Sequence, residues 1–96
     1  MEGKTIDFGN YFHELRKANN LTLKVVADQL QIDISTLSKI ENGDRQINFE
    51  LLKGISKVFE LDYKELQMNF LKQKIHNEYG NQPFFKESLE LYLKTI

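Results

Sequence analysis

Residues 22–43 read TLKVVADQLQIDISTLSKIENG, and the spacing of apolar positions within this stretch decides the fold. Val26, Ala27 and Leu30 fall on one side of a helix that Thr22 is placed to cap, since a threonine oxygen ahead of such a run accepts a free first-turn amide. Leu37 and Ile40 repeat the pattern in a second helix, opened by Asp33 and closed by Asn42-Gly43, residues that tolerate left-handed backbone best. Three or four residues, Gln31 to Ile34 at most, separate the two. A link that short forces the helices to cross steeply instead of lying antiparallel. Ala27 is small where the axes must approach. The outer side of the second helix is left to solvent, and it carries Ile34, Ser35, Thr36, Ser38 and Lys39. Short hydroxyls and a single cation on an exposed helix can donate to and accept from base edges.

Working outward, helical periodicity continues in both directions. Phe8, Phe12 and Leu15 recur at i, i+4 and i+7, with Asp7 as cap and Asn19-Asn20 as stop. Asn48 opens a helix whose Leu51, Leu52, Ile55 and Phe59 face inward. Asp62 followed by Glu65 has the form of a capping box and predicts a longer helix to about Tyr79, ahead of Gly80. Pro83 suits the first turn of a last helix with Phe85, Leu89, Tyr92 and Ile96 on one side. No segment sustains the alternation of a strand, so the class is all-α.

Ninety-six residues make one domain with a small core. There is no cysteine, hence no disulfide framework and no thiolate chemistry. His13 and His76 stand alone as nitrogen ligands, so no metal is expected, and nothing in the chain calls for a cofactor. The carboxylates are scattered singly and the glycines form no phosphate cradle, which leaves an enzyme reading without support. Residues 1–6 include Glu2 and Lys4 and lack the apolar centre of a signal peptide, and no apolar run approaches the ~20 residues of a membrane span; a cytoplasmic protein is expected. Thirteen basic against 14 acidic residues leave a net charge of -1, whereas nucleic-acid binders usually carry a basic excess. What a phosphate feels is the field within about 8–10 Å, so the placement of charges matters more than their total.

The residues that carry a family resemblance are Phe8-Gly9, Phe12 and Leu15-Arg16, then Leu21-Thr22, Val26-Ala27, Leu30 and Ile32. After these come the run from Ser35 to Gly43, and Leu51, Ile55 and Phe59-Glu60-Leu61. With them the chain resembles the Xre-type repressors, relatives of the phage lambda repressor, from Phe8 to Leu66. The resemblance implies a five-helix lambda-repressor-like DNA-binding domain over 7–66 and a C-terminal helical extension over 67–96. Carried over by position, Ile34, Ser35, Thr36, Ser38 and Lys39 are the base-contacting candidates. Thr22, Lys24, Asn42, Gly43, Arg45 and Gln46 are the candidates for phosphates, and Arg16 and Glu41 for a structural ion pair. Two positions depart from the family's pattern. Gln31 stands at a turn position usually held by glycine, where left-handed backbone costs a side chain about a kcal/mol. Leu23 stands where a phosphate-contacting glutamine is common, which shifts weight onto Lys24.

The extension carries more apolar surface than a monomer of this size hides. Met68, Leu71, Ile75 and Tyr79 form one stripe of the fifth helix, Leu66 and Phe70 part of another, and Phe84 and Leu91 lie off the main face of the sixth. A homodimer is therefore expected, reading an inverted repeat in double-stranded DNA with half-sites about 10 bp apart. The role implied is a transcriptional regulator, a repressor or autoregulator, with no membrane or small-molecule partner. The alternative is a protein-interaction module, such as an antitoxin, that engages its partner through the 62–96 helices.

Overall fold

The computed structural model describes residues 7–96; the expectation that no signal peptide opens the chain lies outside the described residues. Six helices follow one another: α1 (Phe8–Ala18), α2 (Leu23–Leu30), α3 (Ile34–Glu41), α4 (Phe49–Val58), α5 (Tyr63–Tyr79) and α6 (Phe85–Thr95). Among the described residues there is no strand, and no helix is long and apolar enough to cross a membrane.

Side chains at the helix starts satisfy first-turn amides. Asp7 accepts from the Asn10 amide, Thr22 Oγ1 from Val25 at 3.2 Å, Asn48 Oδ1 from Leu51 at 2.7 Å and Asp62 Oδ1 from Lys64 at 3.0 Å. Asp33 occupies the corresponding place before α3 but makes no capping bond with its side chain. Pro83 falls just ahead of α6, whose cap position is Phe84, and not in its first turn.

Four of the helices end alike. Leu21 N–H reaches back to the Arg16 carbonyl, Ile32 to Ala27, Asp44 to Lys39 and Leu61 to Ser56, all spanning five residues. The residue before each donor is left-handed: Asn20, Gln31, Gly43 and Glu60, with φ of 57°, 59°, 83° and 55°. This is the Schellman closure, and three of the donors are the apolar residues Leu21, Ile32 and Leu61, which pack onto the core. Each of these helices thus turns the chain sharply, and three of the four plant an apolar anchor in the same step. Asn42 itself keeps right-handed backbone, so the tight stop after α3 belongs to Gly43 alone. Gln31, with its Cβ, is strained where glycine is not. Gln31→Gly is expected to raise stability by about 0.5–1 kcal/mol, because relieved strain outweighs the added freedom of the unfolded chain. A urea midpoint at or below that of the parent would refute the strain argument.

The interior has two connected parts. Val26, Ala27 and Leu37 fill the crossing of α2 and α3, while Phe12, Leu52, Ile55, Leu66 and Phe70 unite α1, α4 and α5. Leu30 and Phe59 touch both. Gly9 lets α1 press against the carbonyls of Ile40 and Glu41, where a Cβ would collide with backbone that cannot rotate away. Phe70 meets Phe8 and Phe49 edge-on, with ring centroids 5.4 and 5.5 Å apart, which fixes α5 across the start of α1.

Of the two stripes on α5, Leu66 and Phe70 form the core side, joined by buried Gln73. Met68, Leu71, Ile75 and Tyr79 face outward. Residues 66 and 67 lie within one unbroken helix, and Phe70 and Gln73 beyond them are still buried. Helix α6 buries none of its residues.

Candidate nucleic-acid interface

Burial on one side of α3 settles what the other side presents. Leu37, Ile40 and Glu41 are turned inward, which at 100° per residue leaves Ser35 and Lys39 pointing away from the protein. Ile34 begins the helix 46% exposed, an unusual degree of exposure for an isoleucine. Ser38 and Thr36 are half-buried on the two flanks. Thr36 lines a groove with Arg45, Gln46 and Asn48, so one base-contacting candidate is brought beside two of the phosphate candidates. Of the other four, Asn42 and Gly43 end α3, and Thr22 and Lys24 sit at the start of α2.

The helix is held in this attitude by a buried polar cluster. Arg16 of α1 grips Glu41 through both ends of the carboxylate, Nε to Oε2 at 2.8 Å and Nη2 to Oε1 at 3.0 Å. Its remaining arm, Nη1, donates to the Leu21 carbonyl at 2.9 Å. One guanidinium therefore ties α1, the turn before α2 and the end of α3 together, in a forked geometry that lysine cannot reproduce. His13 adds a third donor, with Nδ1 2.8 Å from Glu41 Oε1. Carboxylate oxygens only accept, so that nitrogen carries the proton, and the 3.3 Å approach of Arg16 Nη2 to it is a contact and not a second bond. Burial is the largest influence on Glu41 and opposes its charge. The bonds from Arg16 and His13, with the charges they bring, together outweigh burial and hold the carboxyl below its ordinary pKa. Bonding to Glu41 in turn raises Arg16 above its usual value, against the effect of burial. The Arg16–Glu41 pair implied by the family resemblance is present in the structure; His13 escaped the sequence reading. Its signal was its place one turn before Arg16 on the same helix.

Around α3 stand the candidates for the phosphate backbone. Thr22 Oγ1 accepts the Val25 amide yet keeps its hydroxyl hydrogen to donate. Lys24 pairs with Asp28 at 3.1 Å, both exposed, a bond of about 0–1 kcal/mol that a phosphate can replace at little cost. Asn42, Arg45 and Gln46 are exposed in the loop that follows α3. Gln46 Oε1 accepts from Lys74 Nζ at 3.0 Å, a link across 28 residues that brings α5 to the same loop. The face as a whole is close to neutral, with Lys24, Lys39 and Arg45 interspersed among Asp28, Asp33 and Asp44.

Two short helices crossing over a three-residue turn, the second with a polar outer face and three helices behind it, define a helix-turn-helix domain of the lambda-repressor-like kind. The helix-turn-helix family matches residues 12–66, more than half of the chain, and the chain belongs to that family, in its Xre-like form. The HTH-type transcriptional activator BcrR of Enterococcus faecalis is 38% identical over 61 residues, which cover 64% of this chain and 30% of BcrR. The chain thus spans less than a third of that relative.

Proposed function

We propose that the chain binds a specific double-stranded site as a homodimer and represses transcription there, its own included, by occupying an inverted repeat. The observation that carries this reading is the outward face of α3, where Ser35 and Lys39 stand exposed while the inward face of the same helix is locked by Arg16 and Glu41. Lys39 reads guanine O6 and N7, Ile34 packs on a thymine methyl, and Ser35, Thr36 and Ser38 adapt to what remains. Thr22, Lys24, Asn42, Gly43, Arg45 and Gln46 set the register on the backbone. Residues 67–96 serve as the dimerisation extension and 7–66 as the reading domain.

Second copies of α5 and α6 are the occupant that fits the exposed apolar surface best. An 11-residue helix with no buried residue is not stable alone in water, so α6 needs a surface to lie on. Its two lysines, Lys86 and Lys94, balance Glu87 and Glu90, which makes pairing with itself free of net charge repulsion. The near-neutral reading face adds a consequence: binding to random duplex is weak, and more of the affinity rests on specific contacts.

A duplex selected from a random-sequence pool provides the test. Ser35→Ala with Lys39→Ala is expected to weaken binding to that duplex by about 2–4 kcal/mol in sum, to leave the weak binding to scrambled duplex nearly intact, and to keep the helical spectrum. Equal affinity of parent and variant for the selected site would overturn the assignment. A promoter reporter carrying the same site reads the direction of control: reduced output supports repression, whereas increased output assigns the chain the activating role named for BcrR.

A further inference from the structure

We propose that Lys74, on the extension helix α5, is a positioning residue for the duplex backbone, holding Gln46 donor-outward and adding its own charge to the phosphodiester contact made by the loop after α3. This rests on the DNA-binding reading above.

Gln46 has two chemically opposite ends, an acceptor oxygen and a donor NH2. A phosphodiester oxygen accepts only, so a glutamine presented oxygen-first repels it. Lys74 Nζ donates to Oε1 at 3.0 Å, which fixes the acceptor end toward α5 and turns the NH2 the other way. Arg45 is the adjacent residue, and Gly43, Arg45, Gln46 and Lys74 line one groove of about 590 Å³ between the loop and α5. The ammonium also stands 6.0 Å from the centroid of the Phe70 ring, itself in the core, so its stem is held and its head reaches out. Three cationic or donor groups from two elements thus gather beside the turn that ends α3, and a residue of the proposed dimerisation extension takes part in the DNA footprint.

The same groove holds two opposing charges, Asp7 and Glu78, of which Glu78 is paired with Lys74. Glu78 Oε2 lies 3.8 Å from Lys74 Nζ, a loose, half-exposed pair. If Lys74 only braced α5 against the loop, that carboxylate would help. If Lys74 faces phosphate, Glu78 competes with the DNA for it. The two roles give opposite signs for one substitution.

The experiment uses the full chain and the duplex selected by the parent from a random pool, across a series of salt concentrations. Glu78→Gln is expected to tighten binding several-fold. Lys74→Met, checked for an unchanged helical spectrum, is expected to weaken it by about tenfold and to reduce the slope of log K against log salt by about 0.9, the loss of one phosphate neutralised. Gln46→Ala is expected to add little in the Lys74→Met background, while Lys72→Ala, an exposed lysine of the same helix, keeps the parental affinity and slope. Weaker binding in Glu78→Gln, or a salt slope unchanged in Lys74→Met, overturns the proposal and leaves Lys74 a brace. A parent that selects no duplex at all overturns the DNA reading itself, which is a separate result.

Discussion

Arg16→Ala is expected to lower the stability of the folded chain by about 3–5 kcal/mol, more than any other single truncation of a polar residue here. The substitution leaves the Glu41 carboxylate buried with His13 as its one remaining bonded side chain, and frees the Leu21 carbonyl that Arg16 satisfied. A surface pair of the same chemistry contributes about 0–1 kcal/mol, and the difference is burial. In a domain of this size each kcal/mol moves the melting temperature by about 4–8 °C, so the loss should read as roughly 15 °C or more in a thermal melt. Replacing both partners by apolar residues of similar shape, Arg16→Met with Glu41→Leu, is expected to cost much less than either change alone, because no charge is then stranded. An Arg16→Ala melt within a few degrees of the parent would show that water reaches the pair and that it acts as a surface bridge. The cluster also sets an acid limit. Glu41 has its folded pKa depressed, so its contribution is present above the ordinary carboxylate range and is lost as pH falls through the depressed folded value. Urea midpoints for the parent should fall as pH drops below that range, and in Glu41→Gln the fall should be shallower.

The same cluster shows what the sequence could and could not disclose. Local rules carried most of the fold. Thr22, Asn48 and Asp62 announce their helices because capping needs only neighbours two or three residues away, and the left-handed Gln31 was legible as a departure from glycine. Arg16 with Glu41 came from the resemblance and not from spacing, since nothing local relates two residues 25 apart. Lys74 went unread for the same reason, and so did the bond of His13 to Glu41, although His13 stands one turn before Arg16. Their partners are reached only after α1 has crossed the end of α3 and α5 has come alongside the loop at Gln46. Periodicity also left α5 ambiguous. Leu66 with Phe70 and Met68 with Leu71 are equally apolar, and which stripe enters the core depends on where Phe8 and Phe49 stand, a tertiary fact. The candidate DNA face was easier to read than its supports, because exposure on α3 is simply what burial of Leu37 and Ile40 leaves over.

Ile75→Glu with Tyr92→Glu is expected to convert a dimer to a monomer and to reduce affinity for a full inverted repeat by about 100-fold or more, while affinity for a single half-site stays unchanged. Both residues line the apolar cleft of about 520 Å³ between the end of α5 and α6, together with Tyr79, Phe85 and Leu89. Tyr92 is 61% exposed and Leu91, on another side of α6, 66%, so the chain alone leaves both unsheltered. The loss on DNA is large because one reading domain makes few contacts: Lys39 is the single cation of α3, and its hydroxyl neighbours bind weakly. Affinity must then come from the second domain, whose binding is intramolecular once the first is seated, at an effective concentration in the millimolar range. In the proposed dimer a continuous α5 would make that linkage stiff, so that the dimer and not a flexible tether would set the separation of the two reading helices. Folding and assembly would be coupled in the proposed dimer as well. In the parent the melting temperature should rise with protein concentration, and in the double variant it should not. Sedimentation of the parent as a monomer at tens of micromolar, or an unchanged preference for the full repeat in a monomeric variant, would remove the dimer from the mechanism and leave each domain to bind alone.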